Sequence, residues 1–169
     1  MAFLERMDIV LKEILLLGNP CLYEKSEPLD FGQMSLIKET VENLHDTLMD
    51  YRRKYKAGRA IAAPQIGVGK RLIYMNIERP VAFINPELHF CDNELMDVLD
   101  DCMSFPGLYV KLKRHKRCTV KYLDLDWKEC QMELEGDLAE LIQHEYDHLD
   151  GILATMRAED NKSFVMKIM

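Results

Sequence analysis

Apolar residues recur every three or four positions from about Ser35 to Tyr55, at Ile37, Val41, Leu44, Leu48, Tyr51 and Tyr55. Each residue of a helix advances roughly 100°, so this spacing fills one face and predicts a long amphipathic helix, with Gly58 just beyond it as a stop signal. The period then changes. "RLIYMNI" and "VAFINPEL" read as strands joined by the turn Glu78–Pro80, and β-type runs follow at Leu95–Leu99, Tyr109–Lys113, Thr119–Asp124 and Cys130–Glu135. A second helical pattern opens near Asp137, with Leu138, Leu141, Ile142 and Leu149 as its core face and Gly151 as its stop. Asp137 and Glu140 have the spacing of a capping box at its start. Strands in the middle and helices on either side predict an α+β fold: a mostly antiparallel β-sheet packed around the C-terminal helix, with the long N-terminal helix added. No repeat, low-complexity tract or linker divides the chain, so 1–169 reads as a single domain. The closing "FVMKIM" is too brief to assign to helix or strand.

Composition narrows the function classes. A chain of 169 residues can bury a sizeable core. Its formal net charge of -7 argues against a nucleic-acid surface, because a phosphate partner favours a basic patch. The apolar N-terminal stretch is interrupted by Glu5, Asp8, Lys12 and Glu13, and neither a bilayer-spanning run nor a signal-peptide core is visible. Cysteines at 21, 91, 102, 118 and 130 are odd in number and irregular in spacing, as expected for reduced thiols. A cytoplasmic protein with no membrane partner is expected.

The chemistry concentrates in "QHEYDHLDG", Gln143 to Gly151. On a helix His144 and His148 project from one face a turn apart, so both imidazoles can reach one cation. Glu145 stands beside them, free to handle the proton of a metal-activated water. The plainer reading is a surface helix with two unconnected histidines. A catalytic zinc-type site needs a third protein ligand, which can be His, Glu, Asp or Cys. No histidine follows His148, and Glu159 lies beyond the helix stop at Gly151. Cys102, in "LDDCMSFPGLY", sits at a strand end among polar neighbours, and a thiolate with two imidazoles suits a borderline-soft divalent ion.

These segments resemble the peptide deformylases, whose three ordered motifs are GxGLAAPQ, EGCLS and QHExDHLxG. They stand here as "GRAIAAPQ" (Gly58 to Gln65), "DDCMS" (Asp100 to Ser104) and "QHEYDHLDG", with "LGNPCLYEKSEPL", "FINPEL" and "FPGLY" similar as well. The resemblance implies removal of the N-formyl group from the initiator methionine of nascent polypeptides, with an N-formylated peptide at the ribosome as partner. It also implies one divalent metal ion on Cys102, His144 and His148, physiologically ferrous iron, with zinc or nickel also able to occupy the site. Glu145 would be the general base. The Gln65 amide and the Met103 backbone N–H would stabilise the oxyanion, and Asp147 would pair with Arg114. The substrate would lie extended along the first motif as an added strand. The alternatives are a relative acting on a different N-acyl substrate and a non-catalytic metal-binding relative.

Several positions depart from the motifs. Asp100 replaces glutamate and Met103 leucine; Asp101 replaces glycine, and aspartate tolerates positive φ better than most residues. Ala60 replaces the second glycine of the first motif, and Arg59 an apolar residue. Asp137 and Glu140 fall where the family places apolar residues lining the methionine pocket. They are either a solvent-facing capping box or an acidic pocket rim, which would weaken the preference for methionine.

Overall fold

The computed structural model describes residues 10–167, so Glu5 and Asp8 lie outside it. Helix α1 (Met34–Tyr55) covers the first predicted helix and buries Ile37, Val41, Leu44 and Leu48 together with Thr40, Asn43 and Thr47. Tyr55 leaves that face: it is exposed and packs against Tyr51, with ring centroids 4.5 Å apart. Lys56, rather than Gly58, ends the helix; it takes the left-handed conformation and donates its N–H to the Arg52 carbonyl. Gly58 serves a close approach instead. Its φ is +103°, and a Cβ there would meet Leu48 at 3.1 Å and Tyr51 at 3.3 Å.

Five antiparallel strands form the larger sheet: β1 (Ala60–Ala62), β2 (Leu72–Asn76), β3 (Pro80–His89), β6 (Arg117–Leu123) and β7 (Glu129–Glu135), in that spatial order. Three others, β4 (Leu95–Asp101), β5 (Leu108–His115) and β8 (Phe164–Met166), make a second antiparallel sheet with β5 in the centre. The six strands expected from the sequence are all present. The two additions, β1 and β8, are three-residue edge strands, and β8 resolves the unassigned tail by pairing with β5.

Residues in β2 alternate between two cores. Leu72 and Tyr74 join the α1 face, while Ile73 and Met75 join the face covered by α2 (Asp137–Leu149). A strand buried on both sides has no polar face to show, which is why "RLIYMNI" reads as an almost continuous apolar run.

Helix α2 starts one residue earlier than the capping-box reading requires. Gly136, at φ +61°, is the N-cap and lets the chain turn directly from β7 into the helix, so Asp137 becomes the first helical residue and caps nothing. The Glu140 N–H is satisfied by the Gly136 carbonyl at 2.9 Å. Leu138 lies on the outer side at 37% exposure, and Ala139 takes its place in the core beside Leu141, Ile142 and Leu149. Gly151, at φ +70°, ends the helix region where a Cβ would lie 2.5 Å from the Tyr23 carbonyl oxygen. No helix among the described residues is long and apolar enough to cross a membrane.

Candidate metal centre and active site

Two segments supply the candidate ligand atoms. Cys102 follows β4 directly, His144 and His148 lie a turn apart on α2, and their ligating atoms all lie within 4.8 Å of one another. All three side chains are buried. The Cys102 Sγ lies 3.3 Å from His148 Nε2 and accepts at 3.4 Å from both the Ser104 N–H and Gln65 Nε2.

The electrostatics around His144 favour positive charge. Its Nδ1 stands 2.6 Å from Asp100 Oδ1. Burial alone would depress the imidazole, but the Asp100 carboxylate and the Cys102 sulfur hold its pKa well above the ordinary value. His148 moves the other way: burial and the neighbouring His144 charge push it well below. A buried field that draws a proton to one imidazole and leaves the other neutral also suits a single divalent cation between them. One cysteine sulfur and two imidazoles are the donor types that could hold such an ion with a fourth position left open.

Asp100 owes its ionised state to more than His144. Burial raises its pKa, but His144 and Arg114 outweigh it and lower the carboxyl to about 2. Arg114, itself 3% exposed, bridges Asp100 Oδ2 at 2.7 Å and Asp147 Oδ2 at 2.5 Å. Asp147 also accepts two hydrogen bonds from Arg157, at 2.5 and 2.6 Å. The pairing of Asp147 with Arg114 implied by the motifs is therefore formed. Arg157 and Ser104 join the site without having been expected from the sequence. Arg157 follows the helix stop with no motif around it, whereas Ser104 stands inside "DDCMS", where proximity to Cys102 is a signal.

Glu145 is buried at 3% exposure, and desolvation pushes its carboxyl up to about 7. An acid of that strength can accept and return a proton near neutrality. Gln65 lies in the short 3-10 turn Ala63–Ile66 after β1. Its Oε1 accepts from the Ala62 N–H at 2.9 Å, which turns the amide Nε2 toward Cys102 and, at 3.2 Å, Ser104 Oγ. Met103 packs its side chain into the α1 core, and the backbone N–H that meets the Cys102 sulfur is that of Ser104.

The departing positions resolve individually. Asp101 is extended, paired with Tyr109 at the end of β4, and needs no positive φ. Ala60 is buried on the α2 side of β1. Arg59 crosses to α2, where its Nη1 contacts Asp137 and its Nη2 lies 3.7 Å from Glu140. Asp137 is exposed, but only 16% of the Glu140 side chain is, and this carboxyl is pushed up to about 7 by burial and by Asp100. The two acids thus divide between the two readings, Asp137 facing solvent and Glu140 the cavity. That cavity, of about 80 Å³, is lined by Gln65, Cys102, His144 and Glu145 together with Arg59, Asp101, Glu140 and Leu141.

A sequence model described as polypeptide deformylase matches residues 11–164. A peptide deformylase of Treponema pallidum (strain Nichols) is 37% identical over 153 residues, covering 89% of this chain and 90% of that protein. The Thermotoga maritima peptide deformylase is 35% identical, with 91% of each chain covered. Its crystal structure superposes with a TM-score of 0.80, covering 89% of this chain and 99% of that one. The actinonin complex of the Synechococcus elongatus peptide deformylase, 27% identical, gives 0.82 over 94% of this chain and 87% of the other. From the matched span, the shared fold and the buried cysteine–histidine cluster it follows that this chain belongs to the polypeptide deformylase family.

Proposed function

We propose that residues 1–169 act as one catalytic domain in which Cys102, His144 and His148 hold a divalent ion, physiologically ferrous iron, with zinc or nickel accepted in its place. The chain is a metal-dependent hydrolase of the deformylase family, and the reaction is hydrolysis of the formyl amide at the N-terminal methionine of nascent polypeptides. By the same resemblance it acts in the cytoplasm, on chains leaving the ribosome. When bound, the ion supplies Lewis acidity, making water nucleophilic near neutral pH and polarising the formyl oxygen.

The residues of the chain do the rest. Glu145 takes the proton of the attacking water and delivers it to the departing peptide amine, so that formate and a free amino terminus leave. Gln65 Nε2–H and the Met103 N–H donate to the formyl oxygen as it gains negative charge. Because Gln65 Oε1 is already engaged by Ala62, its donor is oriented before substrate arrives. Edge strand β1 offers its free side to an extended peptide. The Asp100–Arg114–Asp147 chain fixes the His144 ring, since each carboxylate is held by a buried guanidinium.

The supporting observation is the convergence of three buried soft and borderline donors with a carboxyl of pKa about 7 and a pre-oriented amide. Formate release from formyl-methionyl-alanine, with bound metal measured and Glu145→Ala as control, tests the reading. Formate from the wild type and almost none from a fully metallated Glu145→Ala is expected. Full metal in the wild type without formate would overturn it.

A further inference from the structure

Beside the cavity at the ligand cluster lies a second depression, of about 230 Å³, lined by Arg52, Lys56, Gly58, Arg59, Asn76 and Ile77. Gly58 and Arg59 line both hollows, so the two share a rim. The depression carries three cations and no carboxylate, on a chain whose formal net charge is -7. Cations stabilise the C-terminal end of a helix in their own right, but on α1 Asp50 already engages Arg53 at 2.5 Å and Lys54 at 2.6 Å. Arg52 directs Nε to the Gly58 carbonyl at 3.0 Å and Nη2 to the Asn76 carbonyl at 2.5 Å, and Lys56 Nζ reaches the Arg53 carbonyl at 3.2 Å. Both cations are thus held by neutral groups, and among the described residues neither has a carboxylate within ion-pair distance.

Edge strand β1 connects the two hollows along the chain: Gln65 follows its C-terminal end, and Gly58 and Arg59 precede its N-terminal end. A peptide whose formyl group meets Gln65 and whose backbone pairs with the free side of β1 therefore runs antiparallel to it and leaves over Gly58. At about 3.3 Å per residue, Gly58 to Ala62 spans about 13 Å, which brings the third and fourth substrate residues to the depression. We propose that Arg52, Lys56 and Arg59 form a specificity-determining exit subsite that favours formyl peptides with carboxylate side chains at these two positions. The proposal rests on the deformylase reading, leaves formyl-methionine as the first residue, and adds a selection further along the substrate.

The test measures kcat/KM by formate release for formyl-methionyl-alanyl peptides that continue with two glutamates, two glutamines or two lysines. All three end in an amide, so that only side-chain charge is compared. The enzymes are the metallated wild type, Lys56→Glu and Lys38→Glu, and binding of the same peptides to metallated Glu145→Ala is measured by calorimetry. The wild type should favour the diglutamyl over the dilysyl peptide by about threefold or more, the scale of partly exposed ion pairs, with the diglutaminyl peptide between them. Lys56→Glu should bring the two charged peptides within about twofold of each other. Lys38→Glu makes the same charge change on an exposed position of α1, about 27 Å along the helix, and should keep the wild-type ratio. A wild type without the preference, or with the opposite one, overturns the proposal. So does a ratio that survives Lys56→Glu, or one that falls equally in Lys38→Glu, which would make net charge the cause. Formate release without the charge preference sinks this inference alone. No formate from any peptide at full metal sinks the deformylase reading, and the calorimetric order then decides the charge preference by itself.

Discussion

Replacing Arg114 by leucine removes the cation from between two buried carboxylates. Asp100 is 1% exposed and Asp147 8%, and in the wild type each accepts from a different nitrogen of the same guanidinium. Breaking a buried ion pair by deleting one partner costs about 3–5 kcal/mol, because the other charge stays where water cannot reach it. Asp147 keeps Arg157, so the loss falls mainly on Asp100, which retains only His144. For a chain of this size about 1 kcal/mol moves the thermal midpoint by 2–4 °C, which gives a fall of roughly 6–20 °C. Arg157→Leu is the contrast: its side chain is 43% exposed, so the bidentate pair with Asp147 is solvent-screened and its loss costs about 1 kcal/mol. The assay is urea unfolding of wild type and both variants, with and without chelator, so that lost metal is not mistaken for lost packing. Sign also matters. The Asp100 pKa is lowered to about 2, so its contribution is present above its unfolded value and disappears as pH falls through 2; Arg114→Leu should raise that lower limit. Equal losses from Arg114→Leu and Arg157→Leu would refute the reasoning that burial makes the Arg114 bridge the more stabilising of the two.

Gln65→Leu should lower kcat by about 10²–10³ while bound metal stays at the wild-type level, as expected for a lost oxyanion donor, measured by formate release and metal analysis. Glu140, raised to about 7, binds its proton more tightly folded than unfolded. Its contribution is therefore present below about 4.5 and lost as pH rises through 7, so metal-free wild type should lose up to about 3 kcal/mol more than Glu140→Gln between pH 5 and 8 in urea unfolding. Gly151→Ala places a Cβ 2.5 Å from Tyr23 O at φ +70°, whereas Gly67 at φ +79° has nothing within 4 Å. Gly67→Ala should cost about 1–2 kcal/mol from the left-handed backbone alone, and Gly151→Ala clearly more.

Long elements are legible in the sequence because their patterns run long. α1 and the six longer strands each carry enough residues for period to separate helix from strand, while β1 and β8 have three residues apiece and leave no periodic trace. The motifs single out Cys102, His144, His148, Glu145 and Gln65, and the fold brings them together, because motif chemistry is local even when the residues are distant in the chain. Arg157 is not, since its partner Asp147 is found only by folding the tail back onto α2. The capping box failed for a related reason. Spacing alone cannot say which residue opens a helix, and here a left-handed glycine opens it one position early.

The charges around the site divide by whether they are paired. Asp100 and Asp147 hold guanidinium groups at hydrogen-bond distance, and Asp137 takes Arg59 at the surface. These carboxylates fix the ring of His144 and the end of α2. Glu145 and Glu140 have no such partner, and both are pushed up to about 7 by desolvation. A carboxylate held by a tight cation can neither take up a proton easily nor exchange its partner for a substrate group. A desolvated one without a partner can do both. Both of these acids line the cavity, together with Asp101. The Arg59–Asp137 contact sharpens that difference: Asp137 holds the guanidinium at hydrogen-bond distance and Glu140 meets it only at 3.7 Å, so burial outweighs the cation and the Glu140 carboxyl stays raised.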